Sequence, residues 1–152
     1  MRKIGTVVAL LFATIIIGST VYAELPWCDF SDGLKQAKAE NKPVMVLFES
    51  PACYVCDQLK ATLKKPEIEQ KLQGFVVTHI VGYDPNLRYE YRGTQYSIHD
   101  LAKLFGVRNR PALLFLTADG EKIALFRGGI RSKRMLEIID KVIAYTQAGS
   151  SR

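Results

Sequence analysis

The chain has 152 residues, 48% hydrophobic and 24% charged, which fits one domain preceded by a tag rather than several domains. Its formal charge is +6; with Arg2 and Lys3 set aside, 19 basic side chains face 15 acidic ones, or +4. That excess is modest and spread along the chain, so it argues for solubility and against a nucleic-acid partner.

The tag is the N-terminus. Met1-Arg2-Lys3 is a basic start, Val7 to Gly18 is an apolar core, and Val21 and Ala23 form a small-residue cleavage pattern. Residues 1–23 therefore read as a secretory signal peptide cut after Ala23. An uncleaved anchor is the alternative, but the apolar run is short for a membrane span. No cysteine follows it closely enough for a lipoprotein signal, and the mature chain is expected not to span a membrane. An exported protein works where disulfides persist.

Residues 24–146 read as the domain, and 147–152 as a flexible polar tail. Glu24 to Asp29 is a leader holding Trp27 and Cys28. Cys28 is the odd cysteine: either a reactive thiol or a small buried side chain beside Trp27, and no motif surrounds it. Phe30 to Asn41 has the apolar spacing of an amphipathic helix, closed by Asn41-Lys42-Pro43. Val44 to Phe48 is a short apolar run that reads as a buried strand.

Next comes Glu49-Ser50-Pro51-Ala52-Cys53-Tyr54-Val55-Cys56, and then a helix carrying Leu59 and Leu63. A Cys-x-x-Cys pair thus sits where a strand hands over to a helix. The first helical turn carries unpaired N–H groups and the positive end of the dipole, which favour a thiolate. Cys53 is the expected nucleophile, and Cys56 lies on the same face within disulfide reach. A zinc site would need two more ligands, and Cys28, His79 and His99 lack ligand spacing. Haem attachment would need His after the second Cys, where Asp57 stands. The strand–helix context favours a redox dithiol.

Pro66 interrupts or restarts the helix, and Glu67 to Leu72 continues it to Gly74. Phe75 to Val81 is a second strand, with a lone His79 that is given no role. Gly82 to Gln95 is a long loop or small hairpin rich in Tyr and Arg, which reads equally as a contact surface or as decoration. Tyr96 to Phe105 is a helix with Ser97 as N-cap and Gly106 at its end. Ala112 to Thr117 and Ile123 to Phe126 are strands joined through Asp119-Gly120. After Gly128-Gly129, Ser132 opens the last helix.

This alternation predicts an α/β layer with a mixed sheet. From Phe30 to Tyr145 the chain resembles the thioredoxin-fold proteins. Cys53-Tyr54-Val55-Cys56 on a strand–helix unit, Arg110-Pro111 before a buried strand, and Gly128-Gly129 before the last helix carry that resemblance. Lys42-Pro43-Val44-Met45 and Pro66-Glu67-Ile68 are similar to the exported domain of bacterial transmembrane thiol-electron transporters. Leu47-Phe48-Glu49-Ser50-Pro51-Ala52-Cys53 and the 82–95 insert look closer to small periplasmic thioredoxins of sulfur-oxidation clusters. The resemblance implies a central four-stranded mixed sheet flanked by helices. It also implies a periplasmic location, a cis Arg110–Pro111 bond packed on the disulfide, and Arg110 and Pro111 as substrate-binding residues.

Two departures stand out. The family's buried Asp, six residues before the first Cys, is Leu47 here, and Glu49 is the nearest carboxylate. Leu47 and Glu49 share a strand face, so Glu49 is a candidate proton acceptor for Cys56 or else a rim residue. Arg110 beside the disulfide would stabilise the Cys53 thiolate and pull toward oxidising behaviour. The expected function is reduction of protein or small-molecule disulfides, with Cys53, Cys56 and Glu49 as catalytic residues. Electrons would come from a membrane thiol donor, with no metal or organic cofactor. The alternatives are a disulfide oxidase or isomerase, and a soft-metal module holding Cu(I) on the two thiols.

Overall fold

The computed structural model describes residues 25–149. The expected signal peptide, residues 1–23, lies outside the described residues, as do residues 150–152. In chain order the elements are β1 (Cys28–Asp29), α1 (Phe30–Glu40), β2 (Val44–Glu49), α2 (Tyr54–Leu63), α3 (Pro66–Leu72), β3 (Val76–Val81), β4 (Arg88–Tyr91), β5 (Thr94–Ser97), α4 (Ile98–Phe105), β6 (Ala112–Leu116), β7 (Lys122–Arg127) and α5 (Ser132–Gly149).

The main sheet has the order β1-β3-β2-β6-β7. β1 and β2 run parallel to β3, while β6 is antiparallel to both β2 and β7. The four long strands are the expected mixed sheet. A fifth, the two-residue β1, extends it at the β3 edge, where the sequence reads only as a leader.

β2 is the middle strand, and all six of its residues are buried. Side chains alternate across a strand, so its two faces serve two cores. Val44, Val46 and Phe48 join Phe30 of α1 and Leu101 and Phe105 of α4. Met45 and Leu47 join Leu59 and Leu63 of α2, Ile68 of α3 and Met135 and Ile139 of α5. A strand covered on both sides has no polar face to show, which is why its sequence is a continuous apolar run.

Helix ends follow their local chemistry. Asn41 takes the left-handed conformation (φ 51°) and closes α1, while the Ser97 hydroxyl accepts from the Asp100 N–H and opens α4. Pro66 is a first-turn residue of α3, so it starts a new helix rather than kinking α2.

The 82–95 region is a hairpin in its second half. Arg92 and Gly93 both have positive φ (53° and 76°), as a type I′ turn between β4 and β5 requires. Tyr89 is buried against Phe30, and Tyr91 stacks edge-on to Phe105 at 5.1 Å and donates to the Gly120 carbonyl at 2.8 Å. These tyrosines are therefore core, whereas Tyr83 is exposed. α5 runs through Gly149, three residues past the expected end of the domain at 146.

Gly33 in α1 is a point of close approach. A Cβ there would lie 2.2 Å from Thr78 Cγ2 and 3.0 Å from Cys28 Sγ. Alanine would gain about 1 kcal/mol in helix propensity. Overlap with a buried, β-branched Thr78 costs more. Gly33→Ala should destabilise the fold by about 1–3 kcal/mol, read as a lower urea midpoint with unchanged slope.

Candidate functional site

The site is built at the end of β2. The chain turns at Ser50-Pro51-Ala52, with Ala52 in the left-handed region (φ 53°), and Cys53 becomes the N-cap of α2. Cys53 Sγ accepts from the Cys56 backbone N–H at 3.2 Å. Cys53 and Cys56 form a disulfide with their Cα atoms 5.2 Å apart. Cys53 is half-buried, whereas Cys56 is 1% exposed. An attacking sulfur therefore meets Cys53, and Cys56 is sheltered behind it. Once the bond is reduced, the free N–H groups of α2 face the Cys53 thiolate.

Two distant segments close around the pair. The Arg110–Pro111 peptide is cis. Pro111 precedes Ala112, which pairs with Phe48 at the end of β2, so the proline lies at the same end of the sheet as the cysteines. The Pro111 carbonyl accepts from the Gly128 N–H at 2.8 Å. At Gly129 a Cβ would stand 3.4 Å from Val55 Cγ1, so this bare backbone touches the Cys-x-x-Cys turn. Tyr54, 75% exposed, and Val55 form the apolar rim.

Glu49, 4% exposed, is the buried carboxylate beneath this turn. Its Oε2 meets Lys60 Nζ at 2.9 Å and its Oε1 meets His79 Nδ1 at 3.4 Å. Lys60 follows Cys56 by one helical turn, so the carboxylate sits on the buried side of the same helix face. Lys60 also reaches Asp57 at 3.3 Å. The hydrogen bond to Glu49 raises the Lys60 pKa most, burial opposes it, and the hydrogen bond to Asp57 adds to the rise. Glu49 is thus an interior, paired group rather than a rim residue.

His79, which the sequence leaves without a role, is the second partner of Glu49, and Trp27 packs on its ring at 5.6 Å. The register that pairs Leu47 with His79 across parallel β2 and β3 creates this contact. Alternation within β3 puts His79 on the same face as Val77, which belongs to the core beneath α2. That combination was the available signal.

Arg110 holds its guanidinium 4.6 Å from the Tyr83 ring centroid. Arg110 first, and Ser50 second, lower the Tyr83 phenol pKa. The insert and the cis-proline loop therefore meet at this pair. Cys28 stands apart: its thiol donates to the Val77 carbonyl at 3.5 Å. Burial, then the charges of Asp29 and Asp32, push its pKa up, which disfavours the thiolate. Among the described residues no three His, Cys, Asp or Glu side chains gather as a metal-binding group.

Comparison with known proteins agrees with this geometry. The family model described as "Thioredoxin-like domain" matches residues 30–143. A thioredoxin from Thermus thermophilus superposes with TM-score 0.67 at 23% identity, covering 84% of this chain and 94% of its own. A structure described as DsbH oxidoreductase gives 0.58 at 18%, covering 82% and 86%. A disulphide isomerase from Xylella fastidiosa Temecula1 gives 0.56 at 19%, covering 79% and 98%. At these identities the superpositions speak for the fold. No curated protein sequence matches the chain.

The Arg110–Tyr83 contact has a direct readout. A cation beside a phenol favours the phenolate. Arg110→Gln should raise the Tyr83 pKa, seen as a later rise of tyrosinate absorbance in the difference between each protein and its Tyr83→Phe counterpart.

Proposed function

This chain belongs to the thioredoxin-like family, and from that premise we propose that it is an exported thiol–disulfide oxidoreductase that reduces disulfides in the periplasm. The observation that carries the reading is the asymmetry of the pair. Cys53 is reachable at a helix N-terminus, Cys56 is buried three residues on, and the two are within bonding distance. Export rests on the basic, apolar and small-residue pattern of residues 1–23. Leu25, just past the expected cut, is already fixed, with its side chain buried and its N–H donating to Glu69 Oε1 at 3.3 Å.

In the reductive cycle the Cys53 thiolate attacks one sulfur of a substrate disulfide. The substrate S–S bond breaks, a Cys53–substrate disulfide forms, and the departing thiolate takes a proton. Cys56 then gives its proton to Glu49 and attacks Cys53 Sγ. The second substrate thiol leaves, and Cys53–Cys56 is left oxidised. Two electrons have passed to the substrate, and a membrane thiol donor must return them. The backbone at Arg110-Pro111 presents an edge along which the substrate chain lies beside the sulfurs.

The test is the equilibrium reduction potential of the Cys53–Cys56 couple in a dithiothreitol series. About −270 mV or lower is expected; about −120 mV would sink the reductive reading in favour of an oxidase. The proton role of Glu49 has a separate test. In single turnovers Glu49→Gln should leave formation of the mixed disulfide intact and slow its resolution by about 100-fold near neutral pH. The deficit should shrink as rising pH ionises Cys56 without help. An equal slowing of both steps at every pH would leave Glu49 a packing role.

A further inference from the structure

Beside the redox centre runs an open groove of about 970 Å³ that the dithiol chemistry does not use. One end is Ser50, three residues before Cys53, together with Tyr83 and Arg110; the other reaches His99, Lys103 and Arg108 along α4 and the loop after it. No carboxylate lines it. Elsewhere among the described residues some surface cations are matched by acids and others, such as Lys38, Lys65 and Lys141, are not. Lys35, Lys42, Lys71, Arg92 and Arg134 each pair with a nearby Asp or Glu. Among the described residues Lys103 and Arg108 make no ion pair, and Arg110 is held by an aromatic ring rather than by an acid.

The end of α4 does not account for these charges. Its last carbonyls are already served by other cations: Lys122 Nζ donates to the Phe105 carbonyl at 2.7 Å and Arg127 Nη2 to the Gly106 carbonyl at 2.8 Å. Lys103 and Arg108 are thus left facing an open channel whose near end meets the cysteine loop. Solvent-exposed cations gathered without counter-charge create a field that favours anions and speeds their approach. The volume is at the upper end for a binding pocket, enough for several side chains. It is an open groove rather than an enclosed cavity, which suits a chain passing through.

We propose that this groove docks the acidic segment flanking the target disulfide of a polypeptide substrate, making Lys103, Arg108 and Arg110 specificity-determining residues of the reductase. The inference rests on the reductive reading, because it names the substrate class of that same site. Chemically, the reduced Cys53–Cys56 dithiol passes two electrons to the peptide disulfide. The peptide leaves as a dithiol and the protein as the disulfide.

The experiment uses the pre-reduced protein and three peptides with one internal disulfide, flanked on the same side by Glu, Gln or Lys. Second-order reduction rates are read by stopped flow at low and high salt. At low salt the Glu peptide should react about 10-fold or more faster than the Lys peptide, and salt should collapse that ratio. In the Lys103→Glu/Arg108→Glu protein, with its fold checked by circular dichroism, the ratio should invert. A ratio near one in the parent, or one unmoved by the charge reversal, overturns the docking proposal while reduction of the Gln peptide upholds the reductase. Glutathione disulfide reduced as fast as the Glu peptide would replace the polypeptide by a small anionic disulfide. Failure to reduce any of the peptides would overturn the reductase reading and this one with it.

Discussion

The chemistry of this molecule hangs from a strand that has no free face. β2 is hydrogen-bonded to β3 on one side and β6 on the other, and each of its faces is sealed by a separate helical layer. Such a strand is held on both edges and both faces. The residues just beyond its end are delivered to a fixed point. They form a three-residue turn and the N-terminus of α2, so Cys53 is held where backbone N–H groups converge. The same pinning fixes the companion segments. β6 pairs with β2 and brings Pro111 to that end, and the Gly128–Pro111 hydrogen bond draws in the backbone that touches Val55.

Burying Glu49 at the end of that strand creates a demand that the rest of the network meets. An ionised carboxylate away from water is costly unless it is paired and hydrogen-bonded. Lys60 and His79 supply the partners from a helix and a neighbouring strand, and both partners are themselves partly open to solvent. The carboxylate is therefore interior while its partners reach water. Where the resemblance would put the family's Asp, this chain has Leu47, and its carboxylate comes two residues later at Glu49. Leu47 fills the apolar core under α2, and the next position on the same face is the last one before the strand opens.

How much of this is legible in sequence depends on how local the cause is. The dithiol, the helix starts at Ser97 and Pro66, the apolar β2 and the Asp119-Gly120 turn are written in neighbouring residues, and each appears where its pattern places it. β1 is two residues long and carries no period, so the sheet reads as four strands instead of five. The sequence leaves the β4–β5 region open between loop and hairpin because Arg92, rather than Asn or Asp, occupies a left-handed turn position. Residues 147–149 look like a tail because they lack large apolar side chains, yet α5 runs through them. His79 is the sharpest case. Beyond its alternation with Val77, nothing within ten residues of it signals a role, and its meaning comes from a parallel register with a strand about thirty residues away.

The destination of Arg110 is the other fact that local sequence withholds, and it bears on the direction of electron flow. A guanidinium free to face the Cys53 thiolate would stabilise the reduced form, and a stabilised reduced form makes an oxidant. Here the cation lies over Tyr83, and the ammonium of Lys60 is shared between Glu49 and Asp57. The Tyr83 contact fixes where the guanidinium sits without neutralising it, and the N-terminus of α2 adds its own favourable field at the thiolate. That influence is common to every pair placed at a helix mouth and does not by itself favour oxidation. The insert that carries Tyr83 thus does two things through one contact. It orients the Arg110 side chain beside the cysteine loop, and it forms part of one wall of the basic groove.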